Sequence, residues 1–146
     1  MFKYLVVAVM LTLSIASNVI AADIIPRKEF IKYSDACIDV LDELERSFAT
    51  TDITIEEADR LLDKYYLNAK KYDRYRSPKW NKKSLQYIII KQTYDLNLEM
   101  RKKVFLLKLR FQSHEATSGD IEEVRQVIEK ESAKIKNNLF KYRKAS

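Results

Sequence analysis

Three observations on the sequence predict an all-α fold. Among 146 residues there are one glycine and two prolines, whereas a sheet protein needs a turn roughly every 8 to 12 residues and draws on Gly and Pro to make it. Apolar residues recur at spacings of three and four in four successive stretches, the period of an amphipathic helix. Short polar links separate those stretches, and short links between long helices favour antiparallel neighbours. The expected architecture is an antiparallel up-down four-helix bundle, or an irregular bundle around a long third helix. A content of 47% hydrophobic and 33% charged residues belongs to a globular chain rather than a disordered one.

The chain opens with Lys3, an apolar run from Leu5 to Ala16, and a small, polar exit at Ser17, Asn18 and Ala21. That order is the pattern of a secretory signal peptide, with cleavage expected after Ala21 or Ala22. The run is shorter than the roughly 20 residues that span a bilayer, so residues 1–22 are expected to be removed and residues 23–146 to form one exported domain, periplasmic or secreted, without a membrane span. Export makes the lone Cys37 informative: one thiol cannot close an internal disulfide. It is expected to be buried and inert, with an intermolecular disulfide as the alternative.

The first helix is expected from about Arg27 to Ala49, after Pro26. Phe30, Tyr33, Cys37, Val40, Leu41, Leu44 and Phe48 form its inner stripe, and Asp35, Asp39, Asp42 and Glu43 lie on its other face. A second helix starts at a capping box, Thr54 with Glu57, carries Ala58, Leu62, Tyr65, Ala69 and Tyr72 inward, and stops before Ser77-Pro78. The third, about Asn81 to Glu115, would be roughly 50 Å long at 1.5 Å per residue. The fourth is expected to open at Asp120 with Glu123 as its box partner and to bury Ile121, Val124, Ile128, Ile135, Leu139 and Tyr142.

The third helix departs from this pattern. Leu85, Ile89, Leu96, Met100, Val104, Leu107 and Phe111 make one stripe; Tyr87, Tyr94, Leu98, Phe105 and Leu109 make another on nearly the opposite side. The second stripe reads either as buried in an irregular bundle or as a docking face for a protein partner or a second copy.

Charge is segregated along the chain. Residues 23–63 carry 12 acids and 5 bases, residues 64–114 carry 3 acids and 14 bases, and residues 115–146 carry 6 and 7. The densest basic stretch, with Lys70, Lys71, Arg74, Lys79, Trp80, Lys82 and Lys83, mixes cations and rings and is a candidate anion-binding patch. Two structural causes compete with that reading: cations favour the C-terminal end of a helix, and an acidic first helix can face a basic third one. In an exported protein nucleic acid is not an expected ligand; an anionic envelope component is.

The catalytic inventory is thin. His114 is the only histidine, without the His or Glu spacing of a metal site, so neither a metal nor a cofactor is expected. It is expected to sit at a helix C-terminus, where the macrodipole favours it. One glycine cannot build a Walker or dinucleotide loop. The sequence therefore favours a non-enzymatic exported protein that binds another protein as inhibitor, immunity-type antagonist or envelope adaptor. A binding module for an anionic envelope component stands second. A small helical enzyme acting on an anionic substrate, using cations such as Lys103 and Arg110, stands third.

Overall fold

The computed structural model describes residues 23–50, 52–77 and 82–145. The expected signal peptide, residues 1–22, and two members of the basic patch, Lys79 and Trp80, lie outside the described residues. Those described form helices and connections only: α1 Arg27–Phe48, α2 Ile55–Ala69, a 3₁₀ segment Lys70–Arg76, α3 Leu85–Gln112 and α4 Ser118–Lys144. Each helix packs on the next, and α4 closes back on α1. The α1 and α3 axes meet only briefly across the middle.

Apart from Phe111, the inner apolar stripes read from the sequence lie in the core or pack against it, joined by Leu61 and Ile90 from outside them. Phe30, Leu41 and Leu44 of α1 meet Leu61, Leu62 and Tyr65 of α2, Ile89, Ile90 and Met100 of α3, and Ile128 and Ile135 of α4, all essentially inaccessible to water. At about 1.5–3 kcal/mol for each large apolar side chain buried, this core is the main source of stability. Rings knit one end: Phe30 stands edge-on to Tyr142 at 5.0 Å, and Tyr33 to Tyr72 at 4.9 Å.

Charged pairs fix the register between helices. Glu43 holds Lys64 at 2.7 Å and Arg60 at 3.3 Å, Lys136 reaches Asp42 at 2.6 Å and Glu45 at 3.3 Å, and Asp35 pairs with Arg143. Along α3, Arg101 meets Asp63 at 2.6 Å and Lys103 meets Glu123 at 2.6 Å. The acids of α1 are thus matched by cations of α2 and α4. The expected match to α3 does not form, because α3 lies diagonally across from α1.

Helix ends differ from expectation in three places, each for a local reason. The second helix does not run on to Ser77: α-helical geometry stops at Ala69, and Tyr72 leaves helical angles at φ −120° and ψ 21°. The third is shorter than expected, and its 28 residues span about 42 Å. It ends in a Schellman turn, in which Glu115 N donates to Arg110 O at 2.9 Å and His114 N to Phe111 O at 3.2 Å. His114 takes the left-handed position at φ 58°, one residue beyond the helix cap Ser113 rather than within the last helical turn.

The fourth helix opens three residues early, because the capping box is Thr117 with Asp120, not Asp120 with Glu123. Thr117 N donates to Asp120 Oδ2 at 2.8 Å, and that bond holds the Asp120 carboxyl below its ordinary range. Glu123 is left to pair with Lys103.

One buried amide ties the start of the described chain to this framework. Gln86 Oε1 accepts from Ile24 N at 2.9 Å and Ile25 N at 3.0 Å, while its Nε2 donates to Ile25 O at 2.8 Å and Tyr142 Oη at 2.9 Å. The Tyr142 hydroxyl in turn donates to Asp23 Oδ2 at 2.6 Å. Arg27 then donates to the carbonyls of Tyr142 and Arg143, satisfying acceptors that the C-terminal end of α4 leaves open.

Candidate docking surfaces

The second stripe of α3 is divided by its neighbours. Tyr87 is buried, and Tyr94 is half-buried beneath the Arg76 guanidinium, 3.4 Å above its ring. The 3₁₀ segment brings Arg76 there, so the break in the second helix covers the first half of the stripe. Beyond it the stripe is open: Leu98 is 52% exposed, Phe105 59% and Leu109 44%. Leu106 and Phe111 extend this apolar surface, and Phe111, assigned to the inner stripe by spacing, is exposed because α3 outruns its packing partners there.

Cations border the ridge. Arg101 lies between Asp63 and the Tyr66 ring, 5.0 Å from its centroid, and Lys108 approaches Asp59 at 3.9 Å. Lys102, exposed beside Phe105, has no ion pair among the described residues.

The described members of the basic patch gather at the other end of α3. Lys70, Lys71 and Arg74 are exposed on the 3₁₀ segment, and Lys82 and Lys83 precede the α3 cap Ser84. Lysines remote in sequence join them, because Gln86 touches both Ile25 and Tyr142 and so brings the starts of α1 and α3 to the finish of α4. Lys28 and Lys32 come from α1, Lys141 and Lys144 from α4.

Cutting the molecule across its helices gives a clear asymmetry. The half made of residues 23–37, 66–77, 82–97 and 133–145 holds fifteen bases and five acids; the described remainder holds ten bases and sixteen acids. In the acidic half the bases are mostly consumed in ion pairs, as with Arg60, Lys64, Arg101 and Arg125. In the basic half they are mostly not. Sequence reasoning missed this pole because its charges come from four separate stretches.

Besides Leu106 of the ridge, two exposed apolar residues escaped notice, Leu67 at 60% and Phe140 at 55%. Both fall outside the apolar stripes of their helices, and that was the available signal. Leu67 is one turn from Lys70 and Lys71, and Lys144 Nζ stands 4.4 Å from the Phe140 ring centroid.

One thiol and two tyrosine hydroxyls are sealed by burial. Cys37 is a free, buried thiol, and burial pushes its pKa up to about 12. Burial likewise raises Tyr33 and Tyr65, whose hydroxyls donate to Ala69 O at 3.4 Å and Thr93 O at 3.0 Å. Groups kept neutral by burial are poor nucleophiles and poor metal ligands. Among the described residues no three His, Cys, Asp or Glu side chains cluster to hold a metal.

A groove of about 910 Å³ runs between α1 and α2 past Asp39, Asp42, Glu43 and Lys64, open to solvent. Lys103 and Arg110 flank a cleft of about 60 Å³ and are engaged by Glu123 and Asp120 rather than converging on a vacant site. No helix among the described residues is long and apolar enough to cross a membrane. Compared with protein-family models, with curated proteins and with solved structures, the chain matches none.

Proposed function

We propose that this chain is an exported, non-enzymatic helical protein, built as an antiparallel up-down bundle, that docks a protein partner on the outer ridge of α3. The observation that carries the reading is the open run of Leu98, Phe105 and Leu109, with Leu106 beside it, on a helix whose opposite face already fills the core. Large apolar side chains contiguous on a soluble surface raise the free energy of the unbound state, and an apolar partner relieves it.

Arg101 and Lys108 beside the ridge are matched by Asp63 and Asp59, Lys102 has no ion pair among the described residues, and Glu99 is exposed next to Leu98, so the flanks carry both signs. A helix with an apolar seam and flanks of mixed charge fits such a ridge. Such a partner suits an inhibitor, an immunity-type antagonist or an adaptor. The opposed cross-helix order of the ion pairs supports the antiparallel bundle, and the leader pattern of residues 1–22 supports export.

The test is affinity capture from the exported fraction with tagged protein beside the Leu98→Asp/Phe105→Asp variant. A stoichiometric protein held by the parent and lost by the variant, at unchanged helical circular dichroism, supports the reading. Equal capture by both removes the ridge from consideration.

A further inference from the structure

We propose a second contact, independent of the ridge: the basic end of the molecule, where α1 and α3 begin and the 3₁₀ segment and α4 finish, docks end-on against an anionic phospholipid bilayer. Its cations are available. Lys70, Lys71 and Arg74 make no ion pair among the described residues. Nor do Lys28 and Lys32 of α1, Lys82 before α3, or Lys141 and Lys144 of α4. Rings instead of carboxylates accompany several of them, with Lys70 5.3 Å from the Tyr66 centroid and Arg74 5.0 Å from that of Tyr75.

Helix stability does not explain this distribution. Cations are favourable where α4 ends, but Lys28 sits in the first turn of α1 and Lys82 and Lys83 stand at the start of α3, which has no acid in its first turn. Those are the positions where the macrodipole disfavours positive charge.

Phe140 distinguishes a bilayer from a soluble polyanion. It is 55% exposed beside Lys141 and Lys144, whereas Leu67 adjoins Tyr66, whose ring lies against Arg101, and so sits level with the middle of α3 rather than at the basic end. Apolar side chains framed by lysines enter the headgroup boundary while the ammonium groups stay at phosphate level. Charge asymmetry sets the pose, since an anionic surface attracts the basic half and repels the acidic one. The α3 ridge, further along the helix, is left facing sideways for a protein.

The test is co-sedimentation of the full chain, as the expressing cell delivers it, with phosphatidylcholine vesicles that do or do not contain phosphatidylglycerol. Preference for the phosphatidylglycerol vesicles that fades at high salt is expected. A cation near an anionic surface contributes about fivefold in affinity, so Lys70→Gln/Lys71→Gln/Arg74→Gln should bind roughly 100-fold more weakly.

Lys141→Gln/Lys144→Gln, on a different helix, should bind more weakly too, and Phe140→Ser should lose severalfold. The ridge variant Leu98→Asp/Phe105→Asp should bind vesicles like the parent, which separates this proposal from the protein-docking one. Parental binding by both charge variants overturns it, as does equal retention on the two vesicle types. So does binding to soluble inorganic polyphosphate as tight as to vesicles with Phe140→Ser unaffected, which would make the target a soluble polyanion.

Discussion

Replacing Gln86 with alanine is the most searching perturbation of the fold, because one side chain bridges the start of the described chain, α3 and α4. Gln86→Ala removes four hydrogen bonds. At about 1 kcal/mol net each, their loss sets a ceiling near 4 kcal/mol. The molecule has a cheaper response, since residues 23–25 can leave the surface and return their amides to water. That escape exposes Ile25, now 2% accessible, at about 1.5–3 kcal/mol. The smaller quantity governs, so we expect a loss of about 2–3 kcal/mol.

For a domain of this length that is a fall of about 10 °C in Tm, readable by thermal circular dichroism. Amide exchange adds a second, sharper readout: Ile24 and Ile25 should lose protection while α2 and the middle of α3 keep theirs. A Gln86→Ala change smaller than about 0.5 kcal/mol, inside the range of an ordinary surface substitution, would refute this account. So would a uniform loss of protection throughout the core. Combined with Tyr142→Phe, the variant should show non-additivity of about 1 kcal/mol, because the two side chains share a bond.

Other expectations follow from particular residues. His114→Gly relieves a left-handed backbone at φ 58° and should stabilise the protein by about 0.5–1 kcal/mol in urea unfolding, less than the full strain because glycine also loosens the unfolded chain. Thr117→Ala removes the α4 cap and should cost about 1 kcal/mol by the same assay. Cys37, Tyr33 and Tyr65 all have raised pKa values through burial. Each binds its proton more tightly folded than unfolded, so stability is complete below about pH 9 and declines as pH rises toward 12; Tm measured across that interval should fall, and Cys37→Ala should flatten its first part. Native Cys37 should resist iodoacetamide at pH 8 and react once urea unfolds the chain.

The core was legible because it depends on local periodicity. Phe30 through Phe48 and Ile121 through Tyr142 recur at helical spacing, and every member of those two stripes is buried. The features that escaped depend on partners far along the chain. Gln86 reads as an ordinary polar residue until Ile25, 61 positions away, arrives beside it. Tyr94 reads as part of an open stripe until Arg76 covers it, and Arg76 does so only because seven residues wind as a 3₁₀ segment, a length over which apolar spacing does not separate the two helix types.

Local signals also competed. Thr117-Asp120 and Asp120-Glu123 both fit a capping box, and a threonine cap prevailed while Lys103 drew Glu123 away. His114 stands where glycine or asparagine is the usual stop, so its position past the helix end carried no sequence mark. The open part of the ridge, Leu98, Phe105 and Leu109, was visible as surplus apolar spacing, whereas the basic pole needed three dimensions to assemble.

The link from Asp23 through Tyr142 has a practical meaning for anyone handling the molecule. The first and last described residues leave from one neighbourhood, so an affinity tag, a fluorophore or a surface tether joined at Asp23 or Ala145 crowds the same pole and presents the opposite one. Binding assays on end-tethered protein would examine the ridge fairly and handicap the basic end. The same proximity allows a short peptide to join the two ends, with a new opening placed in the exposed Ser113–Thr117 turn. Such a circular permutant would carry its label at the acidic end and free the basic one.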